Sequence, residues 1–438
     1  MNIEHRQQQI VRVLDWKGVP ILLLVLIGLI IAATGWRTLR NYSQPGEFNW
    51  THRGHSDFHN GTYYPSIAFR NGDNPYAKKV VDQYPLAAPS RPCPPITYIV
   101  HQPFTWFNLS TADVLFFVYN VLLILVLAWI SVFWIAPDAS LKFWLAAALM
   151  AFVSRPGHIS LFTGYYTVEL VVATLVALKY AESRPWVSAI GMLIASSKPT
   201  YILPLILLML ARKNFKAAVK GIGLCTLAGV LGLAWLTIDS SWGEVIQGIR
   251  SGQEAFHEDV TEYPINSWTR VDIVAMVAKF ANWIPGDEVY LLGMLVLIAI
   301  PCYLIWTLPQ PSNQSVLGCT STWILLLSML VTIYHHSYDC LLIFGPWVGV
   351  VFFPGKVAPE LRDWQKNTLA FLWSIPLFNY VSTKSVLSMM GLTQANIAWQ
   401  GIAASNSVAL CVSLSLLMIW VKTQTSKSKF RLDRADPS

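Results

Sequence analysis

The chain has 438 residues, of which 54% are hydrophobic and only 13% are charged. Since a soluble protein carries roughly 25% charged residues, this composition excludes an ordinary soluble domain and indicates a polytopic membrane protein. The net charge is +7. In a membrane protein the position of the charged residues relative to the bilayer is more informative than the net charge. No nucleic acid is expected as a partner.

The first apolar segment runs from about Val19 to Trp36, after a polar N-terminal segment of residues 1–18. It is long enough to cross the roughly 30 Å hydrocarbon core. Because it lacks a small-residue cleavage site, we expect a retained helix rather than a signal peptide. Residues 37–113 then form a long polar stretch. Within it, residues 62–70 predict a short helix, and the run from Asn71 to Pro75 is a strong turn signal.

The rest of the chain alternates apolar segments with short polar connections. Spans are predicted near residues 114–135, 141–153, 161–180, 186–196, 200–211, 217–238, 289–308, 320–334, 340–353, 369–381 and 398–421. A second polar stretch covers residues 239–288, and residues 271–283 predict an interfacial or re-entrant helix. The predicted fold is therefore an all-α polytopic membrane protein with about twelve transmembrane helices. It forms one integral-membrane domain over residues 1–438, ending in a tail of residues 422–438.

The distribution of lysine and arginine orients these segments. With twelve spans, 18 of the 31 basic residues lie on the side of the two termini and 13 lie on the other. Ten of those 13 belong to the two long polar stretches, which carry little topological weight. Both termini are therefore predicted to be cytoplasmic, and residues 37–113 to face a periplasm, cell exterior or lumen.

The six cysteines are scattered, and none forms a C-x-x-C pair. This pattern indicates neither a zinc site nor a disulfide framework. A bridge between Cys93 and Cys340 remains open, because both are predicted near the outer face.

Asp57 stands among polar and aromatic residues in the stretch from Ser56 to Tyr64, just beyond the first span. A carboxylate at this interface can act as a general base. It can equally be a turn former or a helix N-cap. The neighbouring Tyr63 and Tyr64 can stack on sugar rings or belong to the aromatic belt of the membrane interface.

A few basic and histidine side chains lie on the predicted outer side, where charge near the membrane is costly and usually marks a function or a pairing. The three cations in short loops are Arg155, Lys198 and Lys384. His335 and His336 open a run that continues through Tyr338 and Asp339. Each cation can also be a snorkelling side chain or a helix cap, and the histidine run can be a structural polar cluster. Adjacent histidines rarely point the same way, and no Asp-x-Asp motif occurs in the outer loops, so no metal is predicted.

These groups share one side of the membrane and suit a reaction in which a lipid-linked phosphate departs. A carboxylate would deprotonate an attacking hydroxyl. Arginine, lysine or histidine would neutralise the charge growing on the phosphate.

Several of these motifs together resemble glycosyltransferase family 87. They are Asp57-Phe58 with Tyr63-Tyr64, the run from Asn71 to Tyr76, Pro94-Pro95-Ile96 before an apolar segment, Lys198-Pro199 before an apolar helix, and the run from His336 to Asp339. The resemblance covers residues from about 55 to 350. It implies the C-type fold of membrane glycosyltransferases. Where the family often has Gly-Gln after the third span, this chain has Gly157-His158.

The resemblance implies an inverting transfer of a hexose, often mannose, from a polyprenyl-phosphate sugar to an acceptor hydroxyl. It places the general base on Asp57 and the late-loop histidine on His335 or His336. Substrate contacts are expected from Tyr63, Tyr64, Arg155, His158, Lys198, Tyr338 and Asp339. Partners would be the lipid-linked donor, a glycolipid or glycan acceptor, and membrane lipids, with no cofactor. The expected location is a bacterial plasma membrane, with the active site facing the periplasm or exterior.

Two other functions fit a polytopic chain. A transporter or flippase of lipid-linked sugars would place ionisable groups near the bilayer midplane and show repeated halves. Here few charges lie within spans, Glu169 being one, and no repeat is visible. A non-catalytic scaffold would leave the outer cations without a task.

Overall fold

The structure, a computed structural model, describes residues 17–42, 54–87, 93–258, 263–284, 286–308 and 315–435. These residues are predominantly helical and form no β-strand. The α-helices are α1 (Val19–Arg40), α2 (Ser56–Phe58), α3 (Tyr64–Arg70), α4 (Val80–Gln83), α5 (Pro95–His101), α6 (Leu109–Phe133), α7 (Leu141–Val153), α8 (Arg155–Thr163), α9 (Thr167–Tyr180), α10 (Pro185–Ala195), α11 (Pro199–Ala211), α12 (Phe215–Leu236), α13 (Trp242–Glu258), α14 (Ile273–Ala281), α15 (Asp287–Thr307), α16 (Thr320–Thr332), α17 (Phe344–Phe352), α18 (Asp363–Phe378), α19 (Lys384–Met389) and α20 (Ile397–Ala435).

Four of the described helices are long and apolar enough to cross a membrane: α1, α6, α12 and residues 397–424 of α20. A fifth span results if α7 and α8, which meet at a 64° bend, are counted together. Other apolar helices, such as α10, α11 and α16, have 10–17 residues. The all-helical membrane architecture is confirmed, whereas the number of twelve spans stays a prediction.

The outer helices expose apolar surface. On α1, Ile21 is 68% exposed and Leu29 is 60% exposed, and α12 and α15 present similar leucine and valine side chains. Soluble proteins rarely expose continuous apolar patches of this kind. These faces therefore suit contact with lipid.

The centre of the bundle is α16, in which every residue is buried. Its Trp323 packs edge-on against Trp373 of α18, with ring centroids 5.2 Å apart. At 1.5 Å per residue, its 13 residues extend only about 20 Å, less than the bilayer core. Its complete burial explains why a short apolar segment is stable here, since other helices and not lipid surround it.

The polar stretch after α1 is compact where the structure describes it. The short helix predicted over residues 62–70 is confirmed as a π-helical turn (His59–Tyr63) that continues into α3. In the second polar stretch, the predicted helix over residues 271–283 is α14. The six cysteines, all within the described residues, form no disulfide, so the Cys93–Cys340 bridge does not occur.

Candidate active site

Lys198 and Asp339 form a buried ion pair at the ends of two helical segments. Lys198 immediately precedes α11, and Pro199 occupies the first helical position, where its missing N–H costs nothing. Asp339 lies in the 3₁₀ turn Ser337–Ile343 that follows α16. The Lys198 ammonium donates to Asp339 Oδ2 over 2.6 Å. The structure thus brings together two residues that the sequence predicted for one site.

Both oxygens of the Asp339 carboxylate accept hydrogen bonds. Besides the lysine, the His336 backbone N–H donates to Oδ2 over 2.9 Å, and the Tyr201 hydroxyl donates to Oδ1 over 2.9 Å. The Asp339 side chain is fully buried. A carboxylate with these three partners can anchor Lys198, but it has little remaining capacity to contact a substrate.

Three tyrosine rings surround the Lys198 ammonium. Their centroids lie 5.6 Å (Tyr165), 5.5 Å (Tyr201) and 5.2 Å (Tyr338) from Nζ, within the range of cation–π attraction. An ammonium has three N–H donors. Within the described part of the chain, only the Asp339 carboxylate accepts from Lys198. Two donors of a largely buried cation are thus available to an anion.

The second polar stretch supports this region from one side. Arg270 and His336 form an isolated antiparallel bridge, and the Ser337 N–H donates to the Thr269 carbonyl over 2.7 Å. Arg270 is held by a bidentate pair with Asp272, with both N–O distances 2.9 Å. These contacts hold the backbone of His335 and His336 in place.

His335 and His336 point into different surroundings, as expected for adjacent residues. His336 uses both ring nitrogens, Nδ1 with the Thr269 hydroxyl at 2.8 Å and Nε2 with the Tyr334 hydroxyl. Its ring lies 4.9 Å from that of Tyr338, at an interplanar angle of 30°.

His335 is fully buried. Its Nδ1 lies 3.1 Å from the Ile333 carbonyl, and its Nε2 has no hydrogen-bond partner in the part of the chain that the structure describes. Burial lowers the pKa of His335 to about 4, so its imidazole is neutral at pH 7. It therefore cannot supply a positive charge to a phosphate at that pH.

Asp57 lies in α2 and is half-buried. Its carboxylate acts electrostatically on the lysine cluster. The Asp339 carboxylate and, more weakly, the Asp57 carboxylate act electrostatically on the Tyr165 phenol. The Asp57 carboxylate also acts electrostatically on the Tyr338 phenol. The predicted base thus acts electrostatically on two of the three rings that surround Lys198.

A second polar cluster anchors the helix that carries Asp57. His55 Nδ1 and His59 Nε2 each lie 2.8 Å from Oδ1 of Asp113, on α6. The Tyr42 hydroxyl donates to the other oxygen, Oδ2, over 2.7 Å. The two histidines thus tie the polypeptide on both sides of Asp57 to a long membrane helix.

Arg155 lies elsewhere, at the start of α8. It is 1% exposed. Its guanidinium donates to the Ser382 hydroxyl and to the Asn379 carbonyl, the latter over 3.3 Å. It therefore joins α8 to the turn that follows α18, and its contacts with the protein are structural.

His158 lies one turn further along α8, where Arg37 Nη1 is 2.8 Å from its Nε2. Both side chains line a cavity of about 410 Å³. Its other lining residues are Ile30, Ala33, Thr34, Phe152, Val153 and Tyr380. None of these residues belongs to the Lys198 cluster, so the structure places His158 in a separate, mostly apolar cavity with one arginine at its edge.

Tyr63 and Tyr64 pack inside the first polar stretch. Tyr63 is 4% exposed, and its hydroxyl donates to the Phe107 carbonyl over 2.7 Å. The Tyr64 ring packs edge-on against the Tyr63 ring, with centroids 5.1 Å apart. Tyr64 is half-buried and has the more accessible ring of the two. Tyr63, in contrast, is a core side chain.

Sequence reasoning missed several contributors to these clusters. Tyr165 and Tyr201 carried no signal in an aromatic-rich chain. The cluster around Asp113 did carry one, because His55 and His59 have the four-residue spacing that puts side chains on one helical face. A carboxylate at the end of a membrane helix is also expensive without a partner.

Comparison with known proteins identifies one related group. A model of glycosyltransferase family 87 matches residues 93–332, which is more than half of the chain. No curated protein and no solved structure gives a significant match. The matched range includes Arg155, His158 and Lys198, and it ends before His335.

Proposed function

This chain belongs to glycosyltransferase family 87, and on that premise we propose that it transfers a hexose, with mannose favoured, from a polyprenyl-phosphate sugar to an acceptor hydroxyl. The family and the apolar helices make it a membrane glycosyltransferase, with a lipid-linked sugar donor and a glycan acceptor as its general substrates. The proposal adds the donor class, inversion of configuration and the role of each residue.

The observation that carries the proposal is the Lys198 ammonium. It is almost buried, fixed by Asp339 and surrounded by tyrosine rings, and two of its donors have no acceptor among the described residues. A preorganised cation of this kind stabilises negative charge that develops as a bond breaks. In the proposed reaction that charge grows on the phosphate of the departing polyprenyl phosphate.

Asp57 is proposed as the general base. Its carboxylate accepts the proton of the acceptor hydroxyl while the hydroxyl oxygen attacks the anomeric carbon. The bond between that carbon and the phosphate oxygen breaks, and the electron pair leaves with the phosphate. A single displacement of this type inverts the anomeric configuration, as in inverting glycoside hydrolysis. The electrostatic influence of Asp57 on Tyr165 and Tyr338 supports placing base and cation at one site.

Of the two histidines, we propose that His336 acts in positioning. Its ring packs on Tyr338, and both its nitrogens are held by neighbouring side chains. It therefore fixes the tyrosine whose ring lies 5.2 Å from the Lys198 ammonium. His335 faces the bundle interior and stays neutral, so its proposed role is packing against Tyr201, 5.2 Å away between ring centroids.

The other residues expected to contact the substrate have different proposed roles. Tyr64 keeps a partly exposed ring that can stack on a sugar, whereas Tyr63 and Arg155 support the site through contacts inside the protein. His158, with Arg37, lines a cavity with apolar walls, which suits the lipid portion of a substrate near its phosphate.

The predicted topology remains part of the proposal. Both termini would be cytoplasmic, in a bacterial plasma membrane, and the site would face the periplasm or exterior. Since Lys198 can supply the charge that a metal supplies in other glycosyltransferases, the transfer step is proposed to need no cofactor.

The test is sugar transfer by the purified full-length protein in detergent, with a panel of polyprenyl-phosphate sugars and a crude lipid extract as acceptor. The proposal expects a product with wild type that disappears with Asp57→Asn. No product from any donor, together with movement of sugar lipids across proteoliposomes, would instead identify a transporter. An α- or β-linkage opposite to that of the donor establishes inversion, and retention would overturn the single displacement.

A further inference from the structure

The cluster of His55, His59 and Asp113 is used in the proposed transfer only as an anchor, yet its donor atoms converge. The two histidine nitrogens and one carboxylate oxygen all lie within 4.8 Å of one another. All three side chains are at most 8% exposed. We propose that this cluster is a site for a divalent transition-metal ion, with Zn²⁺ the best match.

The charge of the Asp113 carboxylate favours a bound cation. No lysine or arginine of the described residues lies within ion-pair distance of the Asp113 carboxylate, whose neighbours are two histidines and the Tyr42 hydroxyl. With both histidines neutral, this buried carboxylate has no compensating cation, which is expensive. A divalent ion held by this carboxylate and two neutral imidazoles provides that compensation.

The hydrogen bonds of the two histidines leave polar atoms unsatisfied. If the two imidazoles simply donate to Asp113, each uses one nitrogen on the same oxygen atom, Oδ1. Their other nitrogens, His55 Nε2 and His59 Nδ1, are buried and have no hydrogen-bond partner among the described residues. The hydrogen-bonded arrangement is thus incompletely satisfied, and convergence of two imidazoles on one atom is also what a shared metal ion produces.

The backbone at both histidines has an unusual conformation. His55 has a φ of +56°, a left-handed conformation that costs free energy in a residue with a side chain and that clusters at ligand-binding sites. His59 begins a π-helical turn, which is also frequent at such sites. Together these distortions direct Nδ1 of one histidine and Nε2 of the other towards the same point.

The ligand set selects the kind of ion. Two imidazoles and one carboxylate suit Zn²⁺ and its transition-metal neighbours, whereas Mg²⁺ and Ca²⁺ prefer oxygen ligands. With Zn–ligand bonds of about 2.0–2.1 Å, tetrahedral ligand atoms are about 3.3 Å apart. The two nitrogen–oxygen separations of 2.8 Å found here would therefore widen by about 0.5 Å, and the two imidazole nitrogens lie within 4.8 Å of each other. The Tyr42 hydroxyl, on Oδ2, would orient the carboxylate as outer-sphere partners usually do.

Asp57 is not one of the three donor groups, so the site is distinct from the transfer chemistry. An ion here would clamp α2 and the π-helical turn to α6. The inference does not depend on the proposed sugar or donor.

The test is metal binding by the full-length protein in detergent, stripped with EDTA and then titrated with ZnCl₂ or, separately, MgCl₂. We expect about one Zn²⁺ per chain by elemental analysis after desalting, a raised thermal midpoint, and no response to Mg²⁺. Asp113→Asn and His59→Ala should lose the ion, whereas the control His158→Gln should retain it. Equal zinc content in wild type and Asp113→Asn, or no zinc in wild type, would overturn the site.

A spectroscopic measurement covers the case in which those variants do not fold. Wild-type protein loaded with CoCl₂ should show visible absorption of Co²⁺ bound by nitrogen and oxygen ligands, and ZnCl₂ should abolish it. No such absorption would show that the cluster is only a hydrogen-bonded triad.

Discussion

The ammonium of Lys198 and the carboxylate of Asp339 lie 2.6 Å apart, although 141 positions separate them in the chain. The pair joins the start of α11 to the turn after α16. Because both groups are buried, either one alone would be an uncompensated charge, and removing one partner of such a pair typically costs about 3–5 kcal/mol. The same ammonium is the group proposed to receive the donor phosphate, so its structural and functional roles require separate tests.

A double substitution separates these roles. Lys198→Met and Asp339→Asn should each lower the thermal midpoint markedly, because each leaves the partner unpaired in the interior. The combination Lys198→Met/Asp339→Asn should recover most of that loss, since no buried charge remains. Transfer should nevertheless stay at least 100-fold below wild type, in line with the loss of one preorganised stabilising group. Recovery of transfer together with stability would remove Lys198 from the reaction.

Asp57→Asn isolates the proposed base. The amide has nearly the same shape and sits at a half-buried position, so thermal unfolding should stay close to that of wild type. Turnover should fall by about 10²–10⁴-fold, the usual contribution of a general base, while KM for the donor changes little. The matched control is Asp73→Asn, in the same polar stretch, where the carboxylate accepts a hydrogen bond from the Tyr84 hydroxyl. Equal effects of the two substitutions on turnover would contradict the assignment.

How far the sequence could predict this site is clear from individual residues. Composition and apolar segments were sufficient for the all-helical membrane class, and local signals for the short helix over residues 62–70. Asp57 and the run from His335 were visible because polar groups stood out next to apolar segments. The pairing of Lys198 with Asp339 was not visible, because it depends on how distant helices pack. Arg155 shows the same limit, since its partner Ser382 is 227 positions away.

The stability of the folded protein should depend on pH through the protonation of His335. Its folded-state pKa of about 4 lies below the ordinary value of 6.5, so the unfolded chain binds the proton more readily. The stability tied to its neutral form is fully present above about pH 6.5 and is lost as the pH falls towards 4. The difference between these two pKa values corresponds to about 3 kcal/mol.

Thermal midpoints between pH 4 and 7 measure this effect. His335→Gln should flatten the slope in that range, whereas His336→Gln should leave it in place while reducing transfer more strongly at pH 7. An unchanged slope with His335→Gln would show that other groups dominate the acid sensitivity. Equal and mild losses of transfer for both variants would contradict the positioning role of His336.

Gly164 tests whether the helix carrying Asp57 must sit closely against the bundle. This glycine joins α8 to α9 with a φ of +70°, and a Cβ built on it would lie 2.8 Å from Cβ of Phe58. Nearby, the His55 N–H donates to the Phe162 carbonyl over 2.9 Å. Gly164→Ala should therefore strain the turn and push α2 outward, lowering both the thermal midpoint and transfer.

Gly223→Ala is the matched control, because it lies in α12 and, apart from the nearby backbone of its own helix, no heavy atom of the described residues comes within 4 Å of the added methyl group. Alanine is favoured over glycine inside a helix by about 1 kcal/mol, so this variant should be as stable as wild type or more so, with unchanged transfer. Suppose Gly164→Ala loses stability but keeps its turnover per folded molecule. The close seating of α2 would then serve folding alone, and the position of Asp57 would not depend on it.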